Sequence, residues 1–209
     1  MITRLIGDIH GDIRGYKEII KDAKSSIQVG DFGIGFGSDL WHDNINRAHA
    51  TGNHRFIRGN HDNPGKCKSM TGYIKDGTLE NDVMFIGGAW SIDRGYRTEN
   101  VDWWADEELS ISELNTLVDV YCTMKPRIMI THDCPEEVSK TMFVNAGLAM
   151  HKPAVRTRTG QAFQAMIENH KPDAWYFGHW HHTLSTYYGR TQFCCLGIND
   201  YVDVDLGAD

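Results

Sequence analysis

Five short apolar runs in this chain each break off into residues that can bind a metal ion, and that repeated ending limits the folds open to it more than any other feature. The runs deliver Asp8 and His10, then Asp31, then Asn60 and His61, then His132, then His179 and His181, with a glycine or threonine just before each ending. In an α/β sheet the carboxyl ends of the strands converge on one crevice, so positions far apart in sequence can meet there. The richest ending is Arg58-Gly59-Asn60-His61-Asp62. Asn60 offers an amide oxygen to a hard cation, His61 can carry a proton near neutral pH, and Asp62 can hold that imidazole in one tautomer. That combination suits phosphoester hydrolysis. Asp8 and His10 stand two apart in an extended segment and so face one side, a geometry that His179 and His181 repeat.

The intervening sequence alternates strand and helix signals. Strands are expected at 3–6, 27–29, 55–57, 83–86, 127–130 and 174–177, with a hairpin over 184–196 that turns at Gly189-Arg190. Ile13, Tyr16, Ile19, Ile20 and Ala23 recur at helical spacing, and Ser110 with Glu113 forms a capping box ahead of Leu114, Leu117, Val118 and Tyr121. Phe163, Met166 and Ile167 mark a further helix that stops before Pro172. The stretch 142–158, with Lys152, Arg156 and Arg158, reads as a solvated loop. The stretch 90–104 is too rich in aromatics for a solvated linker and reads as a packed excursion or a wall of the pocket.

Composition narrows the partners. With 209 residues and 41% hydrophobic content the chain can bury a sizeable core, and one domain over 1–209 is expected. A net charge of −7 argues against extended nucleic-acid binding, which needs a concentrated basic face, and leaves small phosphorylated substrates open. No apolar run approaches the ~20 residues that cross a bilayer, and the first residues lack the shape of a secretory signal, so a cytoplasmic protein with no membrane partner is expected. Five cysteines without a CxxC pair are expected to be free thiols.

The endings, read in order as Gly7-Asp8-Ile9-His10-Gly11, Gly30-Asp31, Gly59-Asn60-His61-Asp62, a lone His132 and Gly178-His179-Trp180-His181, resemble the calcineurin-like metallophosphoesterase superfamily over most of the chain. The resemblance implies an α/β (α+β) fold, a four-layer αββα sandwich of two mixed β-sheets flanked by helices, with a two-metal hydrolytic site. On that pattern Asp8, His10, Asp31 and His181 would hold one divalent ion, and Asp31, Asn60, His132 and His179 the other, with Asp31 bridging. A water made acidic by the ions would attack phosphorus in line, His61 would protonate the leaving oxygen, and Asp62 would orient His61. The ligand set accepts manganese, iron, zinc or nickel, with manganese the expected ion.

The implied activity is hydrolysis of phosphomonoesters, on a phosphoprotein or a small phosphorylated metabolite. A phosphodiesterase acting on cyclic nucleotides or nucleic acid ends is the alternative, and a non-catalytic scaffold of the same fold is a third reading, against which an intact His61 and a full ligand set argue. The second ending reads Gly30-Asp31-Phe32-Gly33-Ile34-Gly35, without the Asp-Arg-Gly of the Ser/Thr protein phosphatase branch, and the third ends in Asp62 where that branch has Glu. The layout is similar to small stand-alone members found in bacteria and their phages. Another donor must then orient the phosphate, preferably a guanidinium that bonds two oxygens at once. Arg94 and Arg97, which follow the apolar run 83–86 and Gly87-Gly88, are expected to supply it.

Overall fold

A strand sends alternate side chains to opposite faces and can therefore feed two cores at once. The computed structural model, which describes residues 2–36, 38–50, 52–148 and 156–207, is built on that alternation. In chain order its elements are β1 (Ile2–Ile6), α1 (Ile13–Ile20), β2 (Ser25–Gln28), α2 (Asp39–Ala50), β3 (Asn53–Phe56), α3 (Pro64–Cys67), β4 (Thr78–Glu80), β5 (Val83–Ile86), α4 (Ile111–Met124), β6 (Ile128–Thr131), α5 (Glu136–Ser139), α6 (Arg158–Asn169), β7 (Ala174–Phe177), β8 (Leu184–Tyr188), β9 (Thr191–Cys195) and β10 (Tyr201–Asp205). One sheet has the order β10-β1-β2-β3 and the other β4-β5-β6-β7-β9-β8. β1, β2 and β3 are parallel, with β10 antiparallel at their edge; β5, β6, β7 and β9 are parallel between antiparallel β4 and β8.

Leu5, Ile27 and Ile57 from the first sheet meet Phe85, Ile130 and Tyr176 from the second in the central core. Their neighbours face outward. Ile6 and Phe56 pack with Tyr16 and Ile20 of α1 and Ile45 of α2, whereas Met129, Trp175 and Phe177 pack with Tyr121 of α4 and Phe163 and Ile167 of α6. The result is the four-layer αββα sandwich of two mixed sheets. The capping box forms as expected: Glu113 N–H donates to Ser110 Oγ, and Ser110 N–H donates to Glu113 Oε2 at 2.8 Å.

Five elements were not legible in the sequence: the single-turn helices α3 and α5, the helix α2 and the strands β4 and β10. α2 buries His42, Ile45 and His49 at helical spacing, so two of its three core positions carry polar side chains and the apolar period vanishes. His49 is accommodated because Tyr16 Oη lies 2.8 Å from its Nε2 and Thr71 O 2.7 Å from its Nδ1. β4 and β10 are edge strands, and the burial of β10 alternates only between exposed and half-buried. β10 braces the first ligand loop: Gly7 N–H donates to Asp200 O and Asn199 N–H to Asp8 O, both at 2.9 Å, and Arg4 grips Asp203 with two nitrogens.

The stretch 142–158 is not loop throughout. Lys140–Val144 is a π-helical turn, Arg158 opens α6 beside Glu108, and Arg156 pairs with Glu136; Lys152 lies outside the described residues. The cysteines are unpaired thiols, and no helix among the described residues is long and apolar enough to cross a membrane.

Candidate metal centre and active site

The parallel strands β1–β3 and β5–β7 point their carboxyl ends to the same edge of the sandwich, and every loop that carries an expected ligand leaves from one of those ends. Two groups of side chains gather there. Asp8, His10, Asp31 and His181 form one, and Asp31, His132 and His179 the other, with the donor atoms of each group within 4.8 Å of one another. Asn60 joins the second group, its Oδ1 standing 3.0 Å from His132 Nε2 and 2.9 Å from His179 Nδ1. Asp31 belongs to both. In the first group His10 Nε2 and His181 Nε2 face each other at 3.0 Å, and Asp8 Oδ2 lies 3.2 Å from His181 Nε2.

This convergence is costly to the backbone. His10, Asp31, His179 and His181 take φ values of 45°, 59°, 66° and 58°, a left-handed conformation that side chains other than glycine's resist. Such strain persists only where the surroundings over-determine it, and here it coincides with the cluster. The neighbouring glycines answer a different need. A Cβ on Gly59 would strike the Asp31 carboxylate and its backbone nitrogen, and one on Gly178 would strike the Asp8 carboxylate.

The residues fit a divalent cation. Among the described residues Asp31 Oδ2 is buried without a hydrogen-bond partner, a situation that costs free energy unless a positive charge satisfies the oxygen. His132 Nδ1 lies 2.9 Å from Val29 O and donates its proton there, which turns Nε2 toward the cluster. Burial opposes a charged His132, yet the carboxylates of Asp31 and Asp8 outweigh it and raise its pKa to about 9. The field at this point favours added positive charge. The donors are nitrogen and oxygen without a thiolate, as borderline divalent ions prefer.

Two further residues shape the cluster, and no motif pointed to them. Asn60 Nδ2 donates to Ser91 Oγ at 2.9 Å, which turns the amide oxygen toward His132 and His179. Ser91 Oγ donates in turn to Glu107, whose other oxygen accepts from Ser91 N–H at 3.0 Å. Glu107 is buried, and burial raises its pKa. Ser91→Ala removes the acceptor that orients the amide, so it is expected to weaken divalent-metal binding about 10- to 100-fold, the usual cost of losing an outer-shell partner. Calorimetric titration with manganese checks this, and an unchanged affinity would show that Asn60 holds its orientation without Ser91.

The remaining expected site residues separate. His61 lines a cleft of about 810 Å³ together with His10, Asp31, Asn60, His179 and His181, and among the described residues its ring nitrogens have no hydrogen-bond partner. Asp62 does not orient that ring. Its two oxygens accept N–H bonds from Phe32, Gly33, Ile34 and Gly59 at 2.7–3.1 Å, so it ties the loop after β2 to the loop after β3. Arg97 lines the cleft, its guanidinium held by Asp93 Oδ2 at 2.6 Å and Asp102 O at 3.1 Å. Arg94 is not among the lining side chains: it is exposed and stacks over Trp90 at 5.0 Å. A short 3-10 turn over Arg94–Tyr96 separates the two arginines.

The family profile described as calcineurin-like phosphoesterase matches residues 3–183. No curated protein matched the sequence. Among solved structures, a candidate 5'-nucleotidase from Staphylococcus aureus superposes with a TM-score of 0.58 at 14% identity, over 95% of this chain and 49% of that one. The chain thus spans about half the length of that protein. Phosphopantetheinyl hydrolase from Mycobacterium tuberculosis superposes with a TM-score of 0.51 at 12% identity, over 94% of this chain and 89% of that one. At such identities the likeness is one of fold.

Proposed function

Because the chain belongs to the calcineurin-like phosphoesterase family and is a metal-dependent phosphoester hydrolase, we propose that it cleaves phosphomonoesters, of a phosphoprotein or a small phosphorylated metabolite, at a two-cation centre. The observation that carries this reading is the pair of ligand groups sharing Asp31, with the His61 ring, whose nitrogens have no hydrogen-bond partner among the described residues, in the same cleft. Asp8, His10, Asp31 and His181 would hold one cation, and Asp31, Asn60, His132 and His179 the other. Manganese is the expected ion, and iron, zinc or nickel suit the same donors. Bound there, the cations would acidify a water and draw charge from the phosphoryl oxygens.

The chain's own side chains do the rest. His61 donates its proton to the leaving oxygen. Burial lowers its pKa while the Asp31 carboxylate works against that. Asp62 acts on the reaction through the backbone of the two loops it joins. Arg97 is the residue that holds the phosphoryl oxygens: Asp93 and Asp102 fix its guanidinium, Nε is buried, and the second hydrogens of Nη1 and Nη2 are left for a dianion. In this reading the chain acts as one domain over 1–209 and works in the cytoplasm, in keeping with its unpaired thiols.

The test sets p-nitrophenyl phosphate against bis-p-nitrophenyl phosphate with added manganese. Turnover of the monoester, abolished by chelator and restored by metal, is the expected result, because the proposed ligands are ordinary side chains that bind reversibly. Preference for the diester would replace the monoesterase with a phosphodiesterase, and turnover of neither would favour a scaffold. Arg97→Lys keeps the charge and removes the fork, so it should lower kcat/KM about 10- to 100-fold, the worth of one charge-assisted hydrogen bond, with metal content unchanged. Arg94→Lys should leave kinetics as they are. Wild-type kinetics in both variants would move the clamp elsewhere.

A further inference from the structure

The cleft is larger than a phosphoryl group needs, and the surplus is walled by apolar side chains. Phe36 and Ile92 are exposed by 47% and 41%, whereas the nearby rings of Phe32 and Trp104 are buried. Large apolar groups left open inside a concave site, with polar residues alongside, are the usual mark of a surface that receives part of a ligand.

Phe36 is also held in place. Trp104 meets it edge-on, with ring centroids 5.3 Å apart and planes at 90°, which braces the ring while leaving it accessible from the cleft. His61 also lies beside it, centroid to centroid 6.4 Å. On the monoesterase reading, on which this inference rests, His61 protonates the leaving oxygen, so the leaving group must sit on the His61 side and within reach of Phe36. Ile92, Asp93 and Arg97 line the same cleft as His61 and Phe36.

We propose that this cleft selects monoesters whose leaving group presents an aromatic ring, packed against Phe36 with Ile92 lining the same pocket. Aromatic pairs in offset or edge-on contact hold each other beyond the area they bury, which an aliphatic group of equal size cannot match. An aryl ester such as a phosphotyrosyl group and a nucleoside monophosphate both carry that chemistry.

The experiment measures binding of benzylphosphonate and cyclohexylmethylphosphonate to the manganese-loaded protein by calorimetry. The two ligands share the phosphonate and nearly the same bulk, differ in the π-face, and cannot be hydrolysed. The expected result is tighter binding of the benzyl compound by about 2- to 10-fold. Phe36→Leu should erase that ratio and Phe36→Trp should keep it, with metal content measured for each variant. Equal affinities in the wild-type protein, a ratio that survives Phe36→Leu, or no measurable binding of either ligand would overturn the proposal. Preferential binding of benzylphosphonate without any hydrolysis of phenyl phosphate would sink the monoesterase reading and leave the aromatic site standing. Hydrolysis of phenyl phosphate with equal phosphonate affinities would do the reverse. Turnover of phosphotyrosine and of a nucleoside 5'-monophosphate, each compared with glycerol phosphate, then shows which source supplies the ring, and no advantage for either over glycerol phosphate would count against an aromatic site.

Discussion

Asp31→Asn is expected to lower turnover by about 10³-fold or more, equivalent to several kcal/mol of lost charge stabilisation at the phosphoryl group. Asp31 belongs to both ligand groups, so its carboxylate is the one shared negative charge between the two proposed cations. The amide keeps the shape and can still accept from His61 N–H, as Asp31 Oδ1 does at 2.7 Å. What it removes is the charge that faces His132 Nε2 at 3.2 Å and the otherwise unpartnered Oδ2. Metal content should fall with activity. A variant that binds the same metal and turns over substrate at the wild-type rate would take Asp31 out of the site.

His61→Ala should behave differently. Its ring contributes a proton and no proposed ligand, so the variant should fold and bind metal normally while losing roughly 10²- to 10⁴-fold in rate on alkyl phosphates, the range for a general acid. On p-nitrophenyl phosphate the leaving oxygen needs little protonation, and the loss should shrink. Equal losses on both would assign His61 to phosphate binding. The open ring nitrogens are what this prediction rests on, because a side chain already committed to a structural hydrogen bond would damage the fold when removed.

Most of what the sequence disclosed lies where a local pattern and a chemical demand coincide. Apolar runs that stop at Gly-Asp, Gly-Asn-His or Gly-His mark strand ends, because the glycines admit the carboxylates of Asp8 and Asp31 and the ligand residues must leave the sheet at once. The capping box at Ser110 is equally local. What stayed hidden depends on distant partners. Ser91 reaches Asn60 across 31 positions and Glu107 across 16, and neither pair has a spacing that a reader of sequence could recognise. Adjacency misled at Asp62: sitting next to His61 suggested a partner for the imidazole, but four converging N–H groups from two loops claim the carboxylate. Between Arg94 and Arg97 the choice rests on one turn of backbone, which sends the first outward over Trp90 and the second into the cleft. α2 was invisible because histidines fill its inner face.

The pairing of β10 with β1 makes the first ligand loop depend on residues far along the chain. The loop that carries Asp8 and His10 is pinned by Asn199 and Asp200 and by a strand reaching Asp205. Contacts of such sequence separation add loop-closure entropy that grows only slowly with distance along the chain, and they raise the contact order that slows folding. The loop that carries the first two proposed ligands is thus completed by residues that lie beyond the last of them, His181, so a chain cut after 181 would keep every proposed ligand and lose the support of the first pair.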